Sequence, residues 1–155
     1  MGQSQKPRRK YRPKDVRTPM LVGTDLVLRP LERIIEQICI DGTTNVSRRG
    51  TPMFQNGSSE WFDTAEAIDG VILHLEMYSL RTGIAVPLDA LRELHIAFKY
   101  AVPIFERTLD GVTAAMPVLR RIMSAADPDV MIDILRQTQI KIELDKKAER
   151  ERIAA

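Results

Sequence analysis

The chain reads as an all-α domain, a bundle of four or five helices around one central helix at about residues 59–82, preceded by a disordered basic arm. Three observations lead there. The stretch from Ser59 to Gly83 holds the only Trp and the longest helical apolar pattern. In it Trp61, Ala65, Ile68, Ile72, Leu75 and Ser79 recur at spacings of three and four, while Val71, Leu73, Met77 and Leu80 fill the other side of its second half. A helix that is apolar on nearly every side belongs at the centre of a bundle. Further helical stripes flank this stretch in the chain, and the first twenty residues hold almost nothing that a core would take up. At 155 residues and 44% apolar, the chain is long enough for one folded domain with tails. The expected division is a disordered arm at 1–20, a helical domain at 21–140 with a long loop at 42–58, and a charged helical tail at 141–155.

Taken in order, residues 1–20 are polar and broken by Pro7, Pro13 and Pro19, which predicts an extended or disordered segment. From Asp25 to Ile40, Leu31, Ile34, Ile35, Ile38 and Cys39 share a helical face. Pro30 belongs in a first turn, so this helix is expected to begin near Arg29 and to end at Asp41-Gly42. Met20 to Leu28 has the look of a short extended segment, but one strand has no sheet to join. Gly42 to Ser58, with Pro52 and the turn dipeptide Asn56-Gly57, reads as a surface loop.

The central helix takes Ser59 as its N-cap and Gly83 as its left-handed C-terminal residue, and Gly70 at mid-helix points to a close backbone crossing. Pro87 opens the next helix, whose stripe is Leu91, Leu94, Phe98, Ala101, Val102 and Phe105. Pro103 should bend it near Tyr100, and Gly111 should end it. A cap at Thr113 would place Pro117 in the first turn of a helix carrying Ala115, Met116, Leu119, Ile122, Met123 and Ala126. Asp127 and Pro128 give the clearest helix start in the chain, followed by Val130, Met131, Ile134 and Leu135. Past it, Ile140, Ile142 and Leu144 alternate as a strand would, leaving helix and strand both open at 138–145, with helix preferred. One helix cannot turn all three toward the same core, so a homodimer through this C-terminal helix would cover the remainder. Glu143 and Lys147 are spaced for a helical ion pair.

Charge is unevenly divided. Lys6, Arg8, Arg9, Lys10, Arg12, Lys14 and Arg17 against Asp15 leave the first twenty residues at +6, so within a total of +2 the remainder stands at −4. A short arm of cations with Tyr11 among them suits nucleic-acid phosphates, with counterion release driving association and the ring free to stack on a base. Docking to a partner protein and a merely solubilising tail are the competing readings. Arg48 and Arg49 beside Gly50 are a further candidate contact for a partner's carboxylates or for phosphate, against the plainer reading of a solvent-facing connector.

Catalytic constellations are missing from the sequence. It holds no phosphate-binding glycine loop, no zinc spacing and no Gly-x-Ser-x-Gly elbow, so no enzyme, catalytic residue, metal or cofactor is expected. Of the two histidines, neither has an acid three residues before it, and His95, next to Leu94 on the apolar stripe, points to a hydrogen-bonded structural histidine. Glu66, Asp69 and Glu76 read as a solvated stripe. The single Cys39 excludes an internal disulfide and is expected to be a buried, inert thiol. No apolar run approaches the roughly 20 residues of a spanning helix, and no apolar segment follows the N-terminal charges, which predicts a soluble, cytoplasmic protein with no membrane partner. Asn45-Val46-Ser47 is then a chance match to a glycosylation acceptor.

The opening RRKYRPKDVR resembles the start of a group of small proteins encoded in proteobacterial phages, prophages and other mobile elements, many of which begin with a basic stretch containing Lys-Tyr-Arg-Pro-Lys. Trp61, Asp63, Ala65 and Ala67 resemble the helix head in the middle of the same proteins. The likeness covers those two patches, and the loop at 42–58 departs from it. It implies a phage or mobile-element setting and no particular activity. The expected function is a non-enzymatic accessory protein whose arm contacts nucleic acid. The alternative is a protein-binding module, a regulator of a host complex or an assembly component, that docks through the arm and the 42–58 loop.

Overall fold

A computed structural model describes residues 19–55 and 59–155. Among them five helices and one small sheet follow in the order α1 Pro19–Asp41, β1 Asn45–Val46, β2 Pro52–Gln55, β3 Trp61–Asp63, α2 Thr64–Thr82, α3 Asp89–Lys99, α4 Glu106–Ser124 and α5 Pro128–Ala154. The class is helical, as the sequence predicts. The basic arm and Asn56-Gly57 lie outside the described residues. α2 is central: α1, α3 and α5 lie against it and β2 and β3 cover part of it, while α4 closes the bundle against α1 and α3.

α1 begins well before Arg29 and carries Pro30 in its interior. An internal proline costs about 3 kcal/mol, whereas burying a Val or Leu side chain contributes roughly 1.5–3 kcal/mol each. Val27 and Leu28 are both buried, on the same stripe as Thr24, Leu31, Ile34, Ile35 and Ile38, so the longer helix wins. Cys39 falls about 100° past Ile38 on the helical wheel and is exposed, not buried as expected. Gly42 ends the helix in the left-handed region, its N–H donating to the Ile38 carbonyl at 2.7 Å.

The 42–58 segment, expected as a loop, contributes two short strands to a sheet. β1 pairs antiparallel with β2 (Asn45 with Met53, Val46 with Pro52), and β2 with β3 (Met53 with Asp63, Phe54 with Phe62, Gln55 with Trp61). Trp61 therefore belongs to β3 rather than to the central helix, and it is half exposed. Two adjacent aromatics favour a pleated strand, and the cap is Asp63 rather than Ser59: its carboxylate accepts from the Glu66 N–H at 2.9 Å. α2 then runs to Gly83, whose φ of 72° and bond to the Ser79 carbonyl match the expected C-terminus.

The predicted bend near Tyr100 is a complete break, with Ala101 at φ 53°. Val102 and Phe105, expected in the stripe, are exposed beyond it. α4 starts at Glu106 and passes through both Gly111, expected as a terminus, and Pro117, expected in a first turn. Val112, Leu119 and Met123 form its buried stripe only if the helix is continuous. Asp127 caps α5 as predicted, accepting from the N–H groups of Asp129 and Val130, with Pro128 in first position. α5 stays helical through residues 138–145. Lys147 lies 3.9 Å from Glu151.

The close crossing expected at Gly70 is at Gly111 instead. A Cβ on Gly111 would lie 3.1 Å from the Ala90 Cβ of α3, whereas one on Gly70 would meet only Ile142 Cδ1 at 3.7 Å, an ordinary contact. Gly70→Ala should therefore gain helix propensity of about 1 kcal/mol without a clash. Gly111→Ala carries the same intrinsic gain but must push α3 away, and should leave the protein no more stable or less so. Urea unfolding of the two variants checks both outcomes.

Candidate functional site

Residues at spacings of three and four place Ala67, Gly70, Val71 and His74 on one face of α2, and Leu135, Thr138, Gln139 and Ile142 on one face of α5. Between these faces lies a cavity of about 260 Å³. Val27 and Pro30 of α1 close one side, and Phe54 and Phe62 of the sheet close another. Those two rings are register partners with centroids 5.9 Å apart; Phe54 is fully buried and Phe62 remains 42% exposed. The sheet is held to the head of α2 by a buried hydroxyl pair, Thr44 and Thr64, at 3.2 Å.

His74 is the polar group buried deepest in this lining. It is 2% exposed, and neither Nδ1 nor Nε2 has a hydrogen-bond partner. Burial lowers its pKa from 6.5 to about 4, so at neutral pH the ring is uncharged, with one N–H to donate and one nitrogen to accept. An orphaned buried group of this kind costs about 1–3 kcal/mol. Thr138 turns its hydroxyl to the Met77 sulfur at 3.4 Å. The lining residues include no acid, lysine or cysteine.

His95, expected as the hydrogen-bonded structural histidine, is partly exposed, with Nε2 3.9 Å from an Asp69 carboxylate oxygen. The buried histidine is His74, and it has no hydrogen bond at all. Among the described residues no group of three His, Cys, Asp or Glu is placed to hold a metal ion, and no helix is long and apolar enough to cross a membrane.

Arg48 and Arg49 are exposed at the β1–β2 turn, which Ser47 and Gly50 shape: Ser47 Oγ accepts from the N–H groups of Arg49 and Thr51, and Gly50 has φ 83°. Trp61 pairs with Gln55 at the other end of β2, so the arginines and the exposed indole are not brought together. Lys6, Arg8, Arg9, Lys10, Tyr11, Arg12, Lys14 and Arg17 lie outside the described residues. The cavity was not foreseen from the sequence.

The pH dependence follows from His74. Its folded pKa lies below the unfolded value, so the unfolded chain binds the extra proton and stability falls as pH drops from about 6.5 toward 4. Between pH 7 and 5.5 the loss should be about 1 kcal/mol. His74→Leu should remove that component of the slope and be at least as stable as the parent at pH 7, as read by urea unfolding across the interval.

No family model matches the chain, and no curated protein or solved structure matches it either.

Proposed function

We propose that this is a non-enzymatic accessory protein of a phage or mobile element, whose basic arm, Lys6 to Arg17, holds nucleic acid by its phosphates. The division of charge carries this reading. Seven of the chain's cations fall in the arm against one acid. In the helical body, Arg81, Arg92, Arg120, Lys141 and Lys146 are each paired with a carboxylate, of Asp133, Glu76, Glu32, Asp145 and Glu66 respectively. Part of the body's cationic charge is thus neutralised in place, and its net charge of −4 disfavours a polyanion. Phosphate contacts fix position without reading sequence, so binding is expected to be tolerant of sequence and steeply dependent on salt. With all seven cations engaged on duplex DNA, log K against log salt would slope at up to about −6. Deleting residues 1–17 should abolish retention of a duplex or single-stranded fragment and flatten that slope. Undiminished binding by the truncated protein would place the activity elsewhere.

A second reading, a protein-binding module that pairs with itself or with a partner, is supported by α5. Ile140 and Leu144 are 57% and 60% exposed one helical turn apart, while Ile142 between them faces the cavity. An apolar pair on a helix whose last thirteen residues are all exposed suits a homodimer through the C-terminal helix, with Arg48, Arg49 and the arm as outer docking elements. Light scattering should then give about twice 17.6 kDa at micromolar concentration, and Ile140→Glu with Leu144→Glu should return the monomer mass with helicity unchanged. A monomer at every concentration removes the dimer.

A further inference from the structure

We propose that the cavity between α2, α5 and the sheet is a binding site for a small, uncharged, mainly apolar molecule carrying one hydrogen-bonding oxygen, which His74 receives. Four observations carry this beyond the nucleic-acid reading, and none depends on the arm. First, the space of about 260 Å³, which is open on one side, is larger than the roughly 150 Å³ of an enclosed core cavity that admits benzene. It is of a size for a two-ring molecule. Second, His74 is 98% buried and lines this space with both ring nitrogens unpartnered. A leucine would fit the same helix face without that penalty.

Third, Gly70 lines the same space and has room for a side chain, with only Ile142 Cδ1 3.7 Å from where its Cβ would be. Neither a backbone crossing nor a left-handed φ requires a glycine there. Filling the position would, however, reduce the cavity. Two unrelated departures from the most stable choice, a helix-interior glycine and an orphaned imidazole, therefore meet at one cavity. That coincidence is what a ligand site produces and what optimised core packing would remove.

Fourth, the lining selects the ligand's charge. Besides His74, its polar side chains are Thr138, which is turned to the Met77 sulfur, and Gln139. Lys146, one turn beyond Ile142, is held by Glu66 at 3.0 Å and is not free to neutralise an anion. A hydroxyl both donates and accepts, so it satisfies His74 in either tautomer. Phe62 and Gln139, both in the lining, are exposed, so the space is reachable from solvent.

The test uses the full chain and three probes of one shape: 2-naphthol, naphthalene and 2-naphthoate. Binding is followed by NMR at the Ile142 δ1 methyl and the His74 ring. The expected result is that 2-naphthol shifts both signals and shows intermolecular NOEs to the Ile142 methyl. Naphthalene should bind about tenfold more weakly for want of the hydrogen bond, and naphthoate should not shift either signal. His74→Leu should bring 2-naphthol down to the affinity of naphthalene, and Gly70→Leu, by filling the space, should weaken both. Should Gly70→Leu fail to fold, the NOEs on the unaltered protein decide the location. The proposal is overturned if no probe shifts either signal at its solubility limit, if naphthoate binds as tightly as naphthol, or if His74→Leu leaves the preference for naphthol unchanged.

Discussion

α2 buries Ile68, Val71, Ile72, Leu75 and Tyr78, and these do not lie in one stripe. Successive helical positions turn by about 100°, so residues 68, 72 and 75 point one way and 71, 74 and 78 another. A single stripe can be satisfied by one neighbour. This distribution needs cover on several sides, and α1, α3, α5 and the sheet supply it. α4 touches the centre least and serves chiefly to close α1 against α3. The same demand explains why helices with unfavourable residues persist: α1 tolerates Pro30, and α4 tolerates Pro117, because breaking either would uncover stripes that run across the proline.

Over Gly70 and His74 the cover leaves a space. The chain places its only described sheet there, strands of two to four residues whose contribution to the interior is chiefly Phe54. Isolated, so small a sheet would be marginal. It persists because Phe54 is buried beneath it, Thr44 reaches Thr64, and Asp63 ends β3 while capping α2. A thin aromatic cover leaves a space that a helix packed with interlocking side chains would have filled.

The helical class, the central position of the helix ending at Gly83 and the start of α5 at Asp127 were legible because each is written in one local signal: an apolar period, a glycine in the left-handed region, an Asp-Pro cap. Boundaries that depend on competition were not. Whether Pro30, Gly111 and Pro117 end a helix depends on how much apolar surface lies on the far side, and that is known only once a neighbouring helix is present to bury it. The sheet escaped notice because strands this short do not complete an alternating pattern, and Trp61 to Asp63 fit a helix start nearly as well as a strand. At Ile140, Ile142 and Leu144 the alternation is real but its cause is not a strand. In a helix, residue 142 is turned about 200° from 140 and from 144, so one lines the cavity and two face outward.

The cavity illustrates a harder limit. Its defining features are a side chain that Gly70 lacks and hydrogen bonds that His74 lacks, and neither deficiency shows in a list of residues. A lone histidine on an apolar face reads as a core histidine because nearly every buried imidazole finds a partner. Only the three-dimensional arrangement shows that this one does not, since its neighbours come from α1, β2, β3 and α5, separated from it by up to about seventy residues of chain. The identity of those neighbours then carries chemical information that the histidine alone does not. Valine, proline, leucine, isoleucine and two phenylalanines set the polarity of the space, while His74 supplies its buried polar group without a hydrogen-bond partner. A site of this kind binds by shape and a single hydrogen bond, which distinguishes it from the phosphate binding proposed for the arm and makes the two proposals separable by experiment.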